Sequence, residues 1–230
     1  GNITSLSYGN VYHDYYARQF GAAVRSSETL GGQLESAELA ATYDTSTSTA
    51  RQLHQVARLI ATRTLRAAER DLFFVNMGGY DTHNSEYTEL QQRFTELNAA
   101  LQGFVAELKG QNIFESTVLV TSSDFGRTLT SNGKGTDHAW AGNHFVLGGS
   151  VNGGHIFNRF PESLLENNAQ DAGRGRLIPL YPWESMMVPI AEWLGGQPSS
   201  WSAVFPNLVR FNTSEHIISM SSLFSSYDLV

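Results

Sequence analysis

The chain has 230 residues, 41% of them hydrophobic and 16% charged, with a formal net charge of −7. That is enough apolar material for one sizeable α/β domain and too much for a disordered chain, while the acidic balance argues against nucleic acid or an anionic membrane as the main partner. Cysteine is absent, which excludes disulfides, thiolate metal sites and cysteine nucleophiles, and no run of about 18 apolar residues is present to span a membrane.

Residues 1–50 read as a mixed helical and loop segment, with a short helix at "NVYHDYYARQF" and a loop over 42–50 that ends at a helix start. Leu53, Val56, Ala57, Ile60 and Leu65 keep helical spacing and predict a helix over 50–70. "LFFVNM" (72–77) is a continuous apolar run of strand length, the pattern of a strand buried on both faces. Tyr87, Leu90, Phe94, Leu97, Leu101, Phe104 and Leu108 then step by threes and fours, a long helix that Gly110 closes. "STVLVTS" (116–122) and "HFVLGGSV" (144–151) read as two more strands, and Trp183, Met186, Met187, Ile190 and Leu194 as a last helix. The Ser-rich stretch 213–230 reads as a tail, leaving 51–212 as the core of a single α/β domain. Strand, long helix and strand in succession predict a right-handed crossover, with 72–77 and 116–122 paired in parallel. The start at Gly1, without a leader, suggests a piece of a longer parent protein.

In such sheets ligands gather beyond the carboxyl ends of the strands, and three polar clusters accompany the predicted strands. They are "GGYDTH" (78–83), "SSDFGRT" (122–128) and "GTDH" (135–138). Asp and His suit zinc and related divalent ions, and carboxylates also suit Mg²⁺, Ca²⁺ or Mn²⁺. Asp81, His83, Asp124 and His138 are thus candidate ligands of one cation. Blander readings stand beside this. Asp81 or Asn84 would cap the long helix, Asp124 would be a turn residue or an ion-pair partner of Arg127, and His138 a structural histidine. Arg174 and Arg176 form a small basic cluster able to hold an anion. No GxSxG, Walker, GxGxxG or HExxH motif is present.

"FFVNMGGYDTH", "VLVTSSDFGRTLTSNGKGTDHAWAGNHFVLGG" and "GRGRLIP" together resemble the C-terminal half of the family called domain of unknown function 1501, over roughly residues 50–212. The resemblance implies a bacterial protein that is periplasmic or extracellular. It also implies the alkaline phosphatase-like superfamily, and hence a three-layer α/β/α sandwich with a mainly parallel sheet. Such sites hold one or two divalent metals and act on small anionic esters, phosphates or sulfates. Carried over residue by residue, Asp81 and His83 take the place of an Asp and a His after one strand, although their spacing is two where four is common. Asp124 matches a ligand whose neighbouring histidine is replaced here by Phe125, and His138 matches a third ligand. Arg127 of "DFGRT" is implied as an anion clamp, its guanidinium matched to a phosphate or sulfate. The superfamily's Ser or Thr nucleophile belongs to the N-terminal half, and nothing in residues 1–50 reads as a buried strand followed by such a residue. Two functions therefore compete: a metal-dependent ester hydrolase, zinc being the best-matched ion, and an exported non-catalytic module that binds carbohydrate or a protein.

Overall fold

The computed structural model describes residues 4, 6 and 8–225. Helix α1 (Val11–Glu35) starts at Asn10, whose side chain accepts from the backbone N–H groups of Tyr12 and His13. It is a single 25-residue helix where a short one was expected, and it buries only Ala17 and Gly21. Helix α2 (Ser48–Ala61) is capped by the Thr47 hydroxyl and buries Ala50, Leu53, Val56, Ala57 and Ile60 on one stripe. It stops at Ala61 instead of reaching residue 70. The Thr62 hydroxyl bonds back to the carbonyls of Arg58 and Leu59, and the bidentate Arg66–Asp71 pair closes the turns that follow.

Helix α3 (Glu86–Gly110) matches its predicted bounds. Its apolar stripe is unevenly covered, since Tyr87 and Phe94 are exposed while Ala100, Phe104 and Leu108 pack against α2. The large side chains of that core are Leu53, Val56, Ile60, Phe104 and Leu108, each contributing about 1.5–3 kcal/mol by leaving water. Within it lies Glu107, fully buried, whose carboxylate accepts from Ala40 N (3.0 Å), Ala41 N (2.6 Å) and Gln111 Nε2 (2.7 Å). The charge is tolerated because its oxygens are held by three donors, and it pins the chain between α1 and α2 to α3.

The α/β class holds, but the parallel pairing does not appear among the described residues. Strand β1 (Val118–Val120) pairs antiparallel with β4 (Val146–Gly148), and β2 (Gly126–Ser131) pairs antiparallel with β3 (Thr136–Ala139). Residues 72–77 form no ladder. The backbone of Asn76 instead donates to Gln52 Oε1 (2.9 Å) and accepts from Gln52 Nε2 (2.7 Å), so one side-chain amide takes the place of a neighbouring strand. Leu72 and Phe74 are both 86% exposed while Val75 packs on the core, so the run is covered on one side only, not on both.

The β2–β3 hairpin lies where loop was expected. Its turn is built by Asn132, whose Oδ1 accepts from Lys134 N and Gly135 N, with Gly133 at φ +96°. At its base a Cβ on Gly126 would stand 1.9 Å from the Ala141 carbonyl oxygen, so only glycine fits there. Helix α4 (Glu184–Trp193) follows, closed by Gly195 at φ +87°. Part of the stretch read as a tail is packed: Leu223 and Phe224 are buried, and Phe224 bridges Val151. Residues 226–230 of that expected tail lie outside the described residues.

Candidate metal centre

The site forms where the segment before α3 meets the hairpin. Thr82 is buried at 2% exposure, and its flanking residues Asp81 and His83 turn outward together. Residues two apart on either side of an inward-facing residue share a face, which is the geometric meaning of the Asp-Thr-His spacing. Neither Asp81 nor Asn84 caps α3. The N-cap is Ser85, at φ +52°, and its side chain makes no capping hydrogen bond.

On the hairpin side, His138 of β3 stands opposite Arg127 of β2 in register. His138 Nε2 lies 2.7 Å from Asp81 Oδ1, and His83 Nε2 lies 3.0 Å from the same oxygen. The two imidazoles face one another at 5.1 Å between centroids, 30° apart. Ligand atoms of Asp81, His83 and His138 all fall within 4.8 Å of one another, and all three residues are exposed. Phe125, in the place where the resemblance implies a histidine, lies flat on His138 at 3.8 Å and 7°. It fixes the ring plane without adding a ligand.

The second nitrogen of His83 faces a carboxylate. Nδ1 faces Asp137 Oδ1 at 3.6 Å, and that carboxylate is held by Asn132 Nδ2 (3.1 Å) and Arg174 Nη2 (2.8 Å). At 3.0 Å the Nε2 of His83 is within hydrogen-bond distance of the Asp81 oxygen, and the same nitrogen faces the place where a cation would sit. Two imidazoles and a carboxylate, with a second carboxylate behind one imidazole, could hold a borderline divalent ion. Hydrogen bonding with His138 is the main cause that holds the Asp81 carboxyl below the usual carboxylate range, with the contact to His83 a smaller one. The Asn132 amide, then Arg174, do the same for Asp137.

Asp124 is exposed in the bend before β2 and is not part of the three-residue group. Arg127 sits beside the group with its donors turned inward. Nη1 donates to Thr136 O (2.8 Å), and Nη2 donates to Tyr80 O and to Thr82 Oγ1 (3.3 Å). Its guanidinium also lies 5.1 Å from the centre of the Phe125 ring. Arg127 thus ties the Asp81–His83 segment to the strand carrying His138. A second tie comes from Thr136, whose hydroxyl is 2.8 Å from both oxygens of Glu86 in the first turn of α3.

Asp137, Asn132 and Arg174 were not among the ligands read from sequence. The signals for the first two were the Asp-His dipeptide and the Asn-Gly pair between alternating residues, a hairpin signature. His144 lies apart from the group, against Trp183 at 4.4 Å, and burial pushes its imidazole down. Among the described residues no helix is long and apolar enough to cross a membrane.

Residues 9–170 match the family described as "Protein of unknown function (DUF1501)", well over half of the chain, and the chain belongs to that family. No curated protein and no solved structure matches it.

Proposed function

We propose, with membership of that family as the premise, that the chain carries the metal centre of a hydrolase acting on small phosphate or sulfate esters. One observation carries the reading: a single oxygen of Asp81 meets Nε2 of both His83 and His138, while Asp137 stands behind His83. A divalent ion at such a site supplies Lewis acidity and brings a bound water toward ionisation at neutral pH. Asp81, His83 and His138 would hold it, zinc fitting this nitrogen-rich set best. Three protein ligands leave a position open to solvent or substrate, and all three residues are exposed enough to be reached. Asp124, on a neighbouring exposed bend, is the candidate for a further ligand, and Arg127 positions the segment that bears Asp81.

The finer fold reading belongs with this proposal. A three-layer, alkaline phosphatase-like sandwich would cover the apolar side of residues 72–74, and the exposure of Leu72 and Phe74 supports such a layer. The nucleophile would come from the remainder of the parent protein, and export to the periplasm or beyond belongs to the same reading. The test is turnover of aryl phosphate and aryl sulfate by the full-length protein with and without zinc, alongside H138A. Zinc-dependent turnover lost in H138A is expected. Zinc-independent turnover, or full activity in H138A, refutes it.

A second reading, an exported non-catalytic binding module, is favoured by Phe125, whose ring fills the histidine's place on His138. It predicts no turnover of either ester by the full-length protein under any metal.

A further inference from the structure

We infer that Arg174 is a positioning residue for this centre: through Asp137 it holds the His83 ring so that Nε2 faces Asp81 and His138, where it can meet a cation. The inference rests on the metal-site reading and adds to it the loop that carries Arg174.

The loop that presents Arg174 is tightly specified. Asp171 Oδ1 accepts from Gly173 N (2.8 Å) and Gly175 N (2.9 Å), and its Oδ2 accepts from Asn167 N (3.1 Å). Gly173, Arg174 and Gly175 all have left-handed backbones, at φ +91°, +60° and +69°. Arginine rarely adopts that conformation, and it persists only where the surroundings determine it. The loop is pressed on β2: Leu129 N donates to Gly175 O at 3.0 Å, and a Cβ on Gly175 would meet the backbone nitrogens of Leu129 and Thr130 at 2.8 Å. The backbone thus leaves Arg174 little choice of position.

From there Nη2 reaches Asp137 Oδ2 at 2.8 Å, while Asn132 Nδ2 donates to Oδ1 at 3.1 Å. With one donor on each oxygen, the Asp137 carboxylate cannot turn away from His83, whose Nδ1 lies 3.6 Å from Oδ1. An inward shift of roughly half an ångström makes that contact a hydrogen bond. A carboxylate behind the non-ligating nitrogen fixes the tautomer and ring plane of a metal-binding histidine. An ordinary surface ion pair between Arg174 and Asp137 would have no such effect on His83, and that difference is measurable.

The experiment compares wild type, R174Q, R174K and D137N, each checked for an unchanged thermal melt. Ring ¹⁵N shifts of His83 in the metal-free protein report how its two nitrogens are held, and competition titration reports zinc affinity. The expected result is a His83 ring spectrum that moves away from the wild-type one in both R174Q and D137N. Zinc affinity should fall about 10–100-fold in both, with partial recovery in R174K and no further loss in the R174Q/D137N double variant. A wild-type ring spectrum and zinc affinity within about twofold in R174Q would overturn the inference. If wild type binds no zinc, the metal reading fails by itself. The ring spectrum then decides this inference alone: a change in R174Q supports it, and no change overturns it.

Discussion

Replacing Arg127 with methionine separates a brace from an anion clamp. The side chain donates to Thr136 O, Tyr80 O and Thr82 Oγ1, and Thr82 is buried. Methionine keeps much of the aliphatic volume but leaves all three acceptors without this donor. An acceptor stripped of its partner in a buried place costs about 1–3 kcal/mol. Water can reach the partly exposed edge of the site and relieves some of this, so the net loss should be about 2–4 kcal/mol. With a urea slope of about 2 kcal/mol/M, the denaturation midpoint should fall by about 1–2 M at unchanged slope. Lysine has one ammonium for the three acceptors and should recover no more than about half. Because the same donors hold the Asp81–His83 segment against β3, zinc affinity should fall with stability. If Arg127 instead served only to bind substrate anions, R127M would unfold within about 0.5 kcal/mol of wild type and keep its metal. That outcome would refute the brace.

Three other outcomes follow from the same structure. The Tyr43 hydroxyl is buried without a hydrogen-bond partner among the described residues. Y43F should therefore be neutral or stabilising by up to about 1 kcal/mol in urea denaturation. Burial and the nearby Glu107 also push the Tyr43 hydroxyl up from its ordinary value. Its raised folded pKa means the contribution is complete below about pH 10 and is lost as pH rises further, so Y43F should flatten alkaline unfolding above that pH. E107Q should cost about 1–3 kcal/mol, because the amide can accept from only one of Ala40 N and Ala41 N and must turn its own donor toward the other. The lowered Asp81 carboxyl works in the opposite direction. Its contribution in the metal-free protein is present above the unfolded value near pH 4 and is lost as pH falls through the lower folded value. D81N should remove that part of the acid dependence in a pH-resolved melt.

Local periodicity was the most legible part of the sequence. The three-four spacing from Tyr87 to Leu108 gave α3 its bounds, because a helix needs no partner to declare its period. Burial was less legible. Phe94 lies on the same stripe as Phe104 yet is exposed, because α2 covers only the C-terminal half of α3. Residues 72–77 misled for a related reason. An apolar run reports strand-like composition but not which neighbour completes it, and here the Gln52 amide occupies the backbone groups of Asn76. The β2–β3 hairpin was readable from Asn132-Gly133, but its strands are short and rich in polar residues, and so carry little of the apolar alternation that marks a strand.

The centre itself was half legible. Asp81, His83 and His138 are brought together although 57 residues separate the first from the last, and Asp124 is not brought in with them. Sequence alone could not tell which of Asp124 and Asp137 faces a histidine, since that depends on the hairpin's register. Nor could it show that the Arg127 donors are taken up by backbone carbonyls, because those carbonyls belong to segments 9 and 47 residues away.

Zinc stoichiometry tests the central claim most directly. The protein is loaded with zinc, dialysed into metal-free buffer and measured by elemental analysis beside D81A, H138A and D124A. One retained ion per chain in wild type and D124A, and none in D81A or H138A, is the result the geometry predicts. No retained zinc in wild type, or equal retention in D81A and H138A, would contradict it.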